Sequence, residues 1–486
     1  MSTETPTAPK RQLSLFDSTC IIVGIIVGAG IFRSAPDIAG AMASGGGTML
    51  IWLIGGLLVL AMALSYAELA IAYPREGGDY VYLGRAYGGW AGYLFAWAQM
   101  TILRPGDIAM MAFVFSDYAQ GLFGTFAYAS RIYAAAAVGV FTVINILGVR
   151  GGKWTQNVLT VVKAAGLVAI LVVGLLAPGA SSEPASQPAS SQAVSSRAAV
   201  TQPAVSQPAT AQATTAPKAD EEPAGLTLGG LKLALILVLF TFGGWNEMGY
   251  VAAEVRNPRR NILRALVLGT VAVTVLYLLV NGAYLRALGH AAMSGSKAVA
   301  AETVATLLPD VAVKAVGILV CISALGAING LTFTGARITY AMGREHRAFR
   351  LLGTWNRRVG TPAPALLLQG CISAAIILVL GGFVETIIYT ASVFWLFLLG
   401  TAVAVFVLRR REPSVERPYK ALGYPVTPLI FVGLCLFMIY CTVTYAWQVV
   451  PHALIVAEGI LLVGAVIYIL MRERALSKRG GSGTAQ

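Results

Sequence analysis

The chain has 486 residues, 57% of them hydrophobic and only 12% charged, with a mean hydropathy of +0.73, whereas a soluble domain carries about 25% charged residues. A water-soluble fold cannot hide that much apolar surface. The net charge of +13 does not point to nucleic acid, because the basic residues are shared among many short segments and form no single patch.

Apolar runs of roughly 20 residues recur along the sequence, each long enough to cross a hydrocarbon core of about 30 Å as a helix. Lipid leaves the backbone to satisfy itself, so continuous runs mean helices and not barrel strands. Twelve spans are expected, at 13–33, 48–73, 90–118, 132–149, 154–177, 227–253, 263–286, 311–341, 364–381, 384–408, 425–447 and 452–471. The polar start, Met1 to Gln12, and the lack of a small-residue cleavage site make the first run a span and not a removable signal.

With the N-terminus in the cytoplasm, the inner segments hold 25 of the 35 basic residues. The positive-inside rule then places both termini, the tails 1–12 and 472–486, in the cytoplasm. Residues 178–226, rich in Ala, Ser, Pro, Gln and Thr, cannot build a core and are expected to be a disordered outer linker. They separate a first set of five spans (13–177) from a second (227–409), with two more spans in 410–471. An odd number of spans per set inverts the second set relative to the first.

Two spans carry glycine where a helix disfavours it: the first at Gly24, Gly28 and Gly30, the sixth at Gly243, Gly244 and Gly249. They hold corresponding places in the two sets, and paired interruptions in an inverted repeat point to a substrate site at the membrane midplane. An unwound turn frees N–H groups at the start of one half-helix and carbonyls at the end of the other. A zwitterion suits both. The same glycines also suit close helix packing, and Gly24-xxx-Gly28 fits that pattern.

The stretch Gly24 to Phe32 resembles the first helix of the amino acid-polyamine-organocation (APC) superfamily. Phe240-Thr-Phe-Gly-Gly-Trp-Asn246, followed by Glu254 and Asn257-Pro258-Arg-Arg-Asn261, resembles the sixth helix of its L-type amino acid transporter branch. Further matches are Tyr66-Ala-Glu68, Pro74 to Tyr80, Arg104-Pro105-Gly106, Asn329-Gly330, Arg337 and Gly343-Arg-Glu345. The resemblance implies an all-α polytopic membrane protein of the LeuT-type fold, with twelve helices, a five-plus-five inverted repeat, and discontinuous first and sixth helices.

It also implies a substrate α-carboxylate on the N–H groups of Ala29 and Gly30, beside Gly28, and an α-amino group on the carbonyls of Ile26, Phe240 and Gly243, beside Gly244. Phe240 and Trp245 would gate, and Asn246 would make a polar contact. The branch often has Ser at Ala29 and Tyr at Phe242; the second change removes a hydroxyl. Lys163, inside the fifth span, would stand in for the cation of sodium-coupled relatives, bridging the first and eighth helices. Charge within a span is by default functional, although a snorkelling lysine is the plain alternative.

Arg104 and Asp107, three apart, are expected to pair on one helix face. Glu68 and Glu254 are expected in inner-gate or packing contacts, and Glu247 is the acidic residue near the breaks open to a cationic side chain. The five cysteines lie in apolar runs and imply neither a disulfide framework nor a metal site. No nucleotide-binding loop, His-Glu-x-x-His or Cys-x-x-Cys motif occurs, so no cofactor and no enzymatic chemistry are expected.

The expectation is sodium-independent secondary transport of neutral L-amino acids, by exchange or with protons, in a bacterial-type cell membrane. A cationic amino acid or polyamine carrier, or a transporter-like sensor, stays open beside it. Eukaryotic members of the branch pair with a heavy chain through a cysteine between the third and fourth spans. Residues 120–131 contain none, so no disulfide-linked partner is expected.

Overall fold

The structure is a computed structural model that describes residues 13–28, 30–75, 77–179, 228–296, 298–346, 349–356 and 359–480. The expected linker, apart from its first two residues, lies outside them, as do Ala29 and the tail to residue 12. In chain order the helices are α1 (Leu15–Ile26), α2 (Gly30–Gly40), α3 (Gly45–Ala72), α4 (Asp79–Tyr87), α5 (Gly89–Ala98), α6 (Arg104–Phe123), α7 (Ala129–Leu147) and α8 (Val149–Leu176). They continue as α9 (Leu228–Thr241), α10 (Pro258–Gly295), α11 (Val299–Ala305), α12 (Ala312–Glu345), α13 (Ala363–Leu380), α14 (Phe383–Arg411), α15 (Val426–Val449) and α16 (Pro451–Gly480). Among the described residues, the only β-type pairings are two isolated bridges, Leu13 with Val255 and Asn356 with Thr361.

Ten of the described helices are long and apolar enough to cross a membrane, or eleven when α1 and α2, bent by 51° at the first glycine break, count as one span. The third expected span is a composite: α5, a π-helical turn over Gln99–Leu103, and α6. Its cause is local. Pro105 has no N–H to give to the carbonyl of Thr101 four residues back, and the Tyr389 hydroxyl donates to that carbonyl instead, at 3.1 Å. The Arg104 N–H reaches back five residues to Gln99 O, which makes the turn wide.

Helix starts show ordinary capping. Ser14 accepts from the Asp17 N–H at 3.1 Å while the Asp17 carboxylate accepts from the Ser14 N–H at 3.0 Å, a reciprocal capping box. Ser44 caps α3 by accepting from the Gly47 N–H, and Pro258 opens α10 where a missing N–H costs nothing. Beyond α9 the sixth span does not resume as an α-helix. It passes through short 3₁₀ turns, Trp245–Gly249 and Ala252–Glu254, before α10 begins.

The core around the breaks is aromatic. Trp52, Phe242 and Tyr277 form one buried cluster with ring centroids 5.2 to 6.1 Å apart. Trp245 packs edge-on against Tyr66 at 5.3 Å and against Phe431 at 5.9 Å, separations at which aromatic pairs attract beyond simple burial. Of the ten helices that pass singly as spans, α12 is the most enclosed, with 78% of its apolar stretch buried. It therefore serves as the wall on which the first, third and fifth spans lean.

Candidate functional site: two broken helices and their bridges

The two breaks face each other. A Cβ on Gly244, whose φ is +102°, would lie 2.5 Å from Ile25 Cγ2, and one on Gly30 would lie 3.2 Å from Thr241 Cγ2. Glycine is therefore required at Gly244 both by the backbone, since only glycine enters that region without penalty, and by the approach of the first span. At each break the chain doubles back on itself. The Gly28 N–H donates to Ile26 O at 2.7 Å and the Gly243 N–H to Phe240 O at 2.9 Å.

A third element ties the breaks together, and nothing in the sequence singles it out. The hydroxyl of Tyr277, buried in α10, donates to Ile26 O at 2.9 Å and lies 3.4 Å from Thr241 O. Carbonyl oxygen has two lone pairs, so Ile26 O, expected to receive an ammonium, already accepts two hydrogen bonds in this conformation. Phe240 O accepts one, from Gly243.

Lys163 is 2% exposed and its Nζ donates to Gly24 O, at the last turn of α1. A Cβ on Gly326 of α12 would lie 3.6 Å from Lys163 Nζ, so the lysine occupies the gap between the first and eighth spans rather than reaching for an interface. Beside it, Ser323 donates to Val27 O at 3.4 Å. The end of α1 is thus held from α8, α10 and α12 by side chains aimed at its last carbonyls, which carry the negative end of the helix dipole.

Of the expected gating rings, Phe240 is half-buried and meets Phe383 edge-on at 6.5 Å, whereas Trp245 is buried in the aromatic core. Phe242 also belongs to that core, so the hydroxyl that the branch often has there would lie among rings. Asn246 is buried and lines a cavity of about 10 Å³ together with Gln99, Leu103, Tyr250, Phe394 and Phe397, room for about one water.

The expected Arg104–Asp107 pair is corrected by the structure. Arg104 Nη2 pairs with Glu247 at 2.5 Å and Arg104 Nε donates to Gln99 Oε1 at 3.0 Å. Helical side chains lean toward the N-terminus, so the guanidinium reaches back along the π turn, away from Asp107 and toward the carboxylate that the unwound sixth span presents. Glu247 is therefore not an open receptor for a cationic side chain, because Arg104 already holds it.

From this pair a polar chain continues through the core. Gln99 Nε2 donates to the Tyr250 hydroxyl at 3.4 Å, and Tyr250 donates to Asp79 at 2.7 Å. Asp79, the first residue of α4, also accepts from Thr401 at 2.8 Å and from Tyr66 at 3.4 Å. Burial pushes its carboxyl up from the ordinary 3.8 to about 6, against the downward pull of those three hydroxyls.

The face that carries Leu13 is closed by ion pairs. Glu68 accepts two N–H groups from Arg409, at 2.8 and 2.5 Å, and the Ala421 N–H at 2.7 Å. Arg337 pairs with Glu254 at 2.7 Å, Tyr73 and Arg85 meet on Glu412, and Arg259 meets Glu416. Glu68 and Glu254 thus make the packing contacts expected of them. A cavity of about 650 Å³ opens here, lined by Ile71, Asn257, Arg259, Arg260 and Glu416 among others. It lies at this face and not at the breaks.

Residues 13–470 match the family described as Amino acid permease. The chain is 31% identical over 469 residues to the b(0,+)-type amino acid transporter 1 of Mus musculus, covering 95% of this chain and 89% of that one. It is 30% identical over 468 residues to the large neutral amino acids transporter small subunit 2 of Homo sapiens, covering 95% and 81%. The chain belongs to the amino acid permease family of the APC superfamily, multi-pass membrane transporters of the LeuT fold that move amino acids and are not enzymes.

Proposed function

We propose that this transporter moves neutral L-amino acids by alternating access and without sodium. The observation that carries the proposal is Lys163, whose amino group sits between the first and eighth spans on Gly24 O, where sodium-coupled members of this fold would need an ion. Relatives whose names include neutral amino acids support the substrate class.

In this proposal the substrate carboxylate lies on the N–H groups of Ala29 and Gly30 and its ammonium on Phe240 O and Gly243 O, with Gly28 and Gly244 giving the room. Ile26 O joins them only when Tyr277 or Gly28 lets go, so binding would be coupled to a shift of α10 against α1. Phe240 covers the site and Trp245 turns with the sixth span. The two sets of five spans act as inverted repeats, and the ion-paired face is the cytoplasmic one in a bacterial-type cell membrane. The protein works without a disulfide-linked partner, although one relative's name calls it a small subunit; the third-to-fourth loop has no cysteine.

The test is counterflow in liposomes made with purified protein. Labelled leucine or alanine should enter without sodium, driven by internal amino acid or by a proton gradient. If neither drives uptake, or if sodium is required, the proposal fails. Binding without counterflow would identify a sensor instead.

A further inference from the structure

We infer that the Arg104–Glu247 pair sets the charge of the side chain this transporter accepts. This rests on the proposed transport of amino acids and goes one step further, to the residues that choose among them.

Three observations point there. First, both side chains are almost wholly enclosed, 4% and 5% exposed, and their contact is a single hydrogen-bonded arm. Arg104 Nη1 and Glu247 Oε2 are left buried without a hydrogen-bond partner. Charges with unused donors and acceptors in an enclosed interior are costly as structure alone, and each would gain from a complementary group if its partner were withdrawn.

Second, the pair backs directly onto the polar cavity beside the sixth-span break. Glu247 comes directly after Asn246, which lines it, and Arg104 touches two other lining residues, Gln99 at 3.0 Å and the Tyr250 ring at 5.0 Å. The remaining lining is apolar except for Asp79, whose two oxygens take hydroxyls from Thr401, Tyr250 and Tyr66. Asp79 is already engaged by those hydroxyls, so the guanidinium and the Glu247 carboxylate are the charges here that still have an unused donor and acceptor.

Third, the pair joins the third span to the 3₁₀ segment of the sixth, three residues beyond Gly244. A movement of that segment against the third span would have to part the two charges. Paired, the two charges cancel and the site favours a neutral side chain. With Glu247 neutral, Arg104 would present a cation to an acidic side chain; with Arg104 neutral, Glu247 would present an anion to lysine or arginine. The pair is neutral by cancellation and not by lacking charge.

The experiment uses the full chain in detergent and in liposomes, with leucine, lysine and glutamate as probes of thermal shift and of counterflow. The wild type should prefer leucine. Glu247→Gln should raise the glutamate-to-leucine affinity ratio by about tenfold or more, and Arg104→Gln the lysine-to-leucine ratio similarly, while the double substitution should return to the leucine preference. Single variants that fold and keep wild-type ratios overturn the inference and leave a structural pair. Should the singles not fold, the other two proteins decide. A wild type that takes lysine or glutamate as well as leucine, or a double variant that loses the leucine preference, overturns it. If no amino acid of any charge binds or moves in the wild type, the transport proposal falls first, and that result is distinct from an unchanged ratio.

Discussion

The two glycine breaks look alike in sequence and behave differently in structure. The first is a hinge: α1 stops at Ile26, the chain turns, and α2 starts at Gly30 with a bend of 51°. The second is an unwinding, in which ten residues from Trp245 to Glu254 never regain α-helical form. The difference lies in the residues that come after each break. After Gly30 come Ile31 and Phe32, buried apolar residues with nothing to offer but packing. After Gly244 come Glu247 and Glu254, each in an ion pair with a neighbouring span, and Tyr250, hydrogen-bonded to Asp79. Side-chain bonds to other helices hold the segment from outside where the i to i−4 ladder is lost, so it can stay irregular.

Gly244→Ala puts this difference to the hardest test. The substitution forces a positive φ on a side chain, about 1 to 2 kcal/mol, and adds a methyl group where Ile25 already stands, about 1 to 3 kcal/mol more. Purified variant should lose several degrees of thermal stability in detergent and nearly all counterflow. Near-normal uptake would mean that the close approach at the second break is not needed.

Asp79 tests how the unwound segment is supported. Its carboxyl is raised from 3.8 to about 6 in the folded protein, so the native state holds this proton more tightly than the unfolded one. The contribution of the group to stability is greatest below pH 3.8, falls as pH rises from there to about 6, and is flat above. The total is on the order of 3 kcal/mol at 1.36 kcal/mol per unit. Asp79→Asn should remove that slope, so the stability of the wild type relative to the variant should decline between pH 4 and 6.5. Parallel profiles would show that Asp79 does not carry the proton.

Tyr277→Phe addresses the bridge between the breaks. It keeps the ring among Trp52 and Phe242 and deletes one buried hydroxyl donor. The cost should be about 1 kcal/mol, seen as a small loss in thermal stability. Because Ile26 O is freed, substrate affinity should change more than stability does. An unchanged apparent Kd for leucine would show that the bridge plays no part in binding.

Much of this is legible in the sequence and some is not, for physical reasons. The spans and the breaks announce themselves through local composition, because glycine acts where it stands. Lys163 announces itself as a charge in an apolar run. The ion-pair partners do not, since Arg104 and Glu247 are 143 residues apart and Glu68 and Arg409 are 341 apart, and the nearer Asp107 offers itself falsely to Arg104. Tyr277 is silent, being one hydroxyl in a hydrophobic run whose acceptors lie in two other spans. The π turn has a signal in Arg104-Pro105, a proline inside a span, but a proline predicts a disturbance without saying which carbonyl will find a new donor.

Gly28→Ala probes the hinge in the same way. Gly28 is not in the left-handed region, and a Cβ there would meet only Ile25 O and Ile26 O, at 3.7 and 3.9 Å, which is ordinary contact. The first break should therefore tolerate the methyl group, with a stability change within about 0.5 kcal/mol. Any loss should fall on affinity, since the added group would narrow the space above the carbonyls where the proposed ammonium lies. Equal destabilisation by Gly28→Ala and Gly244→Ala, measured side by side in the same detergent, would mean that both breaks are packing devices and that the hinge and the unwound segment do not differ in kind.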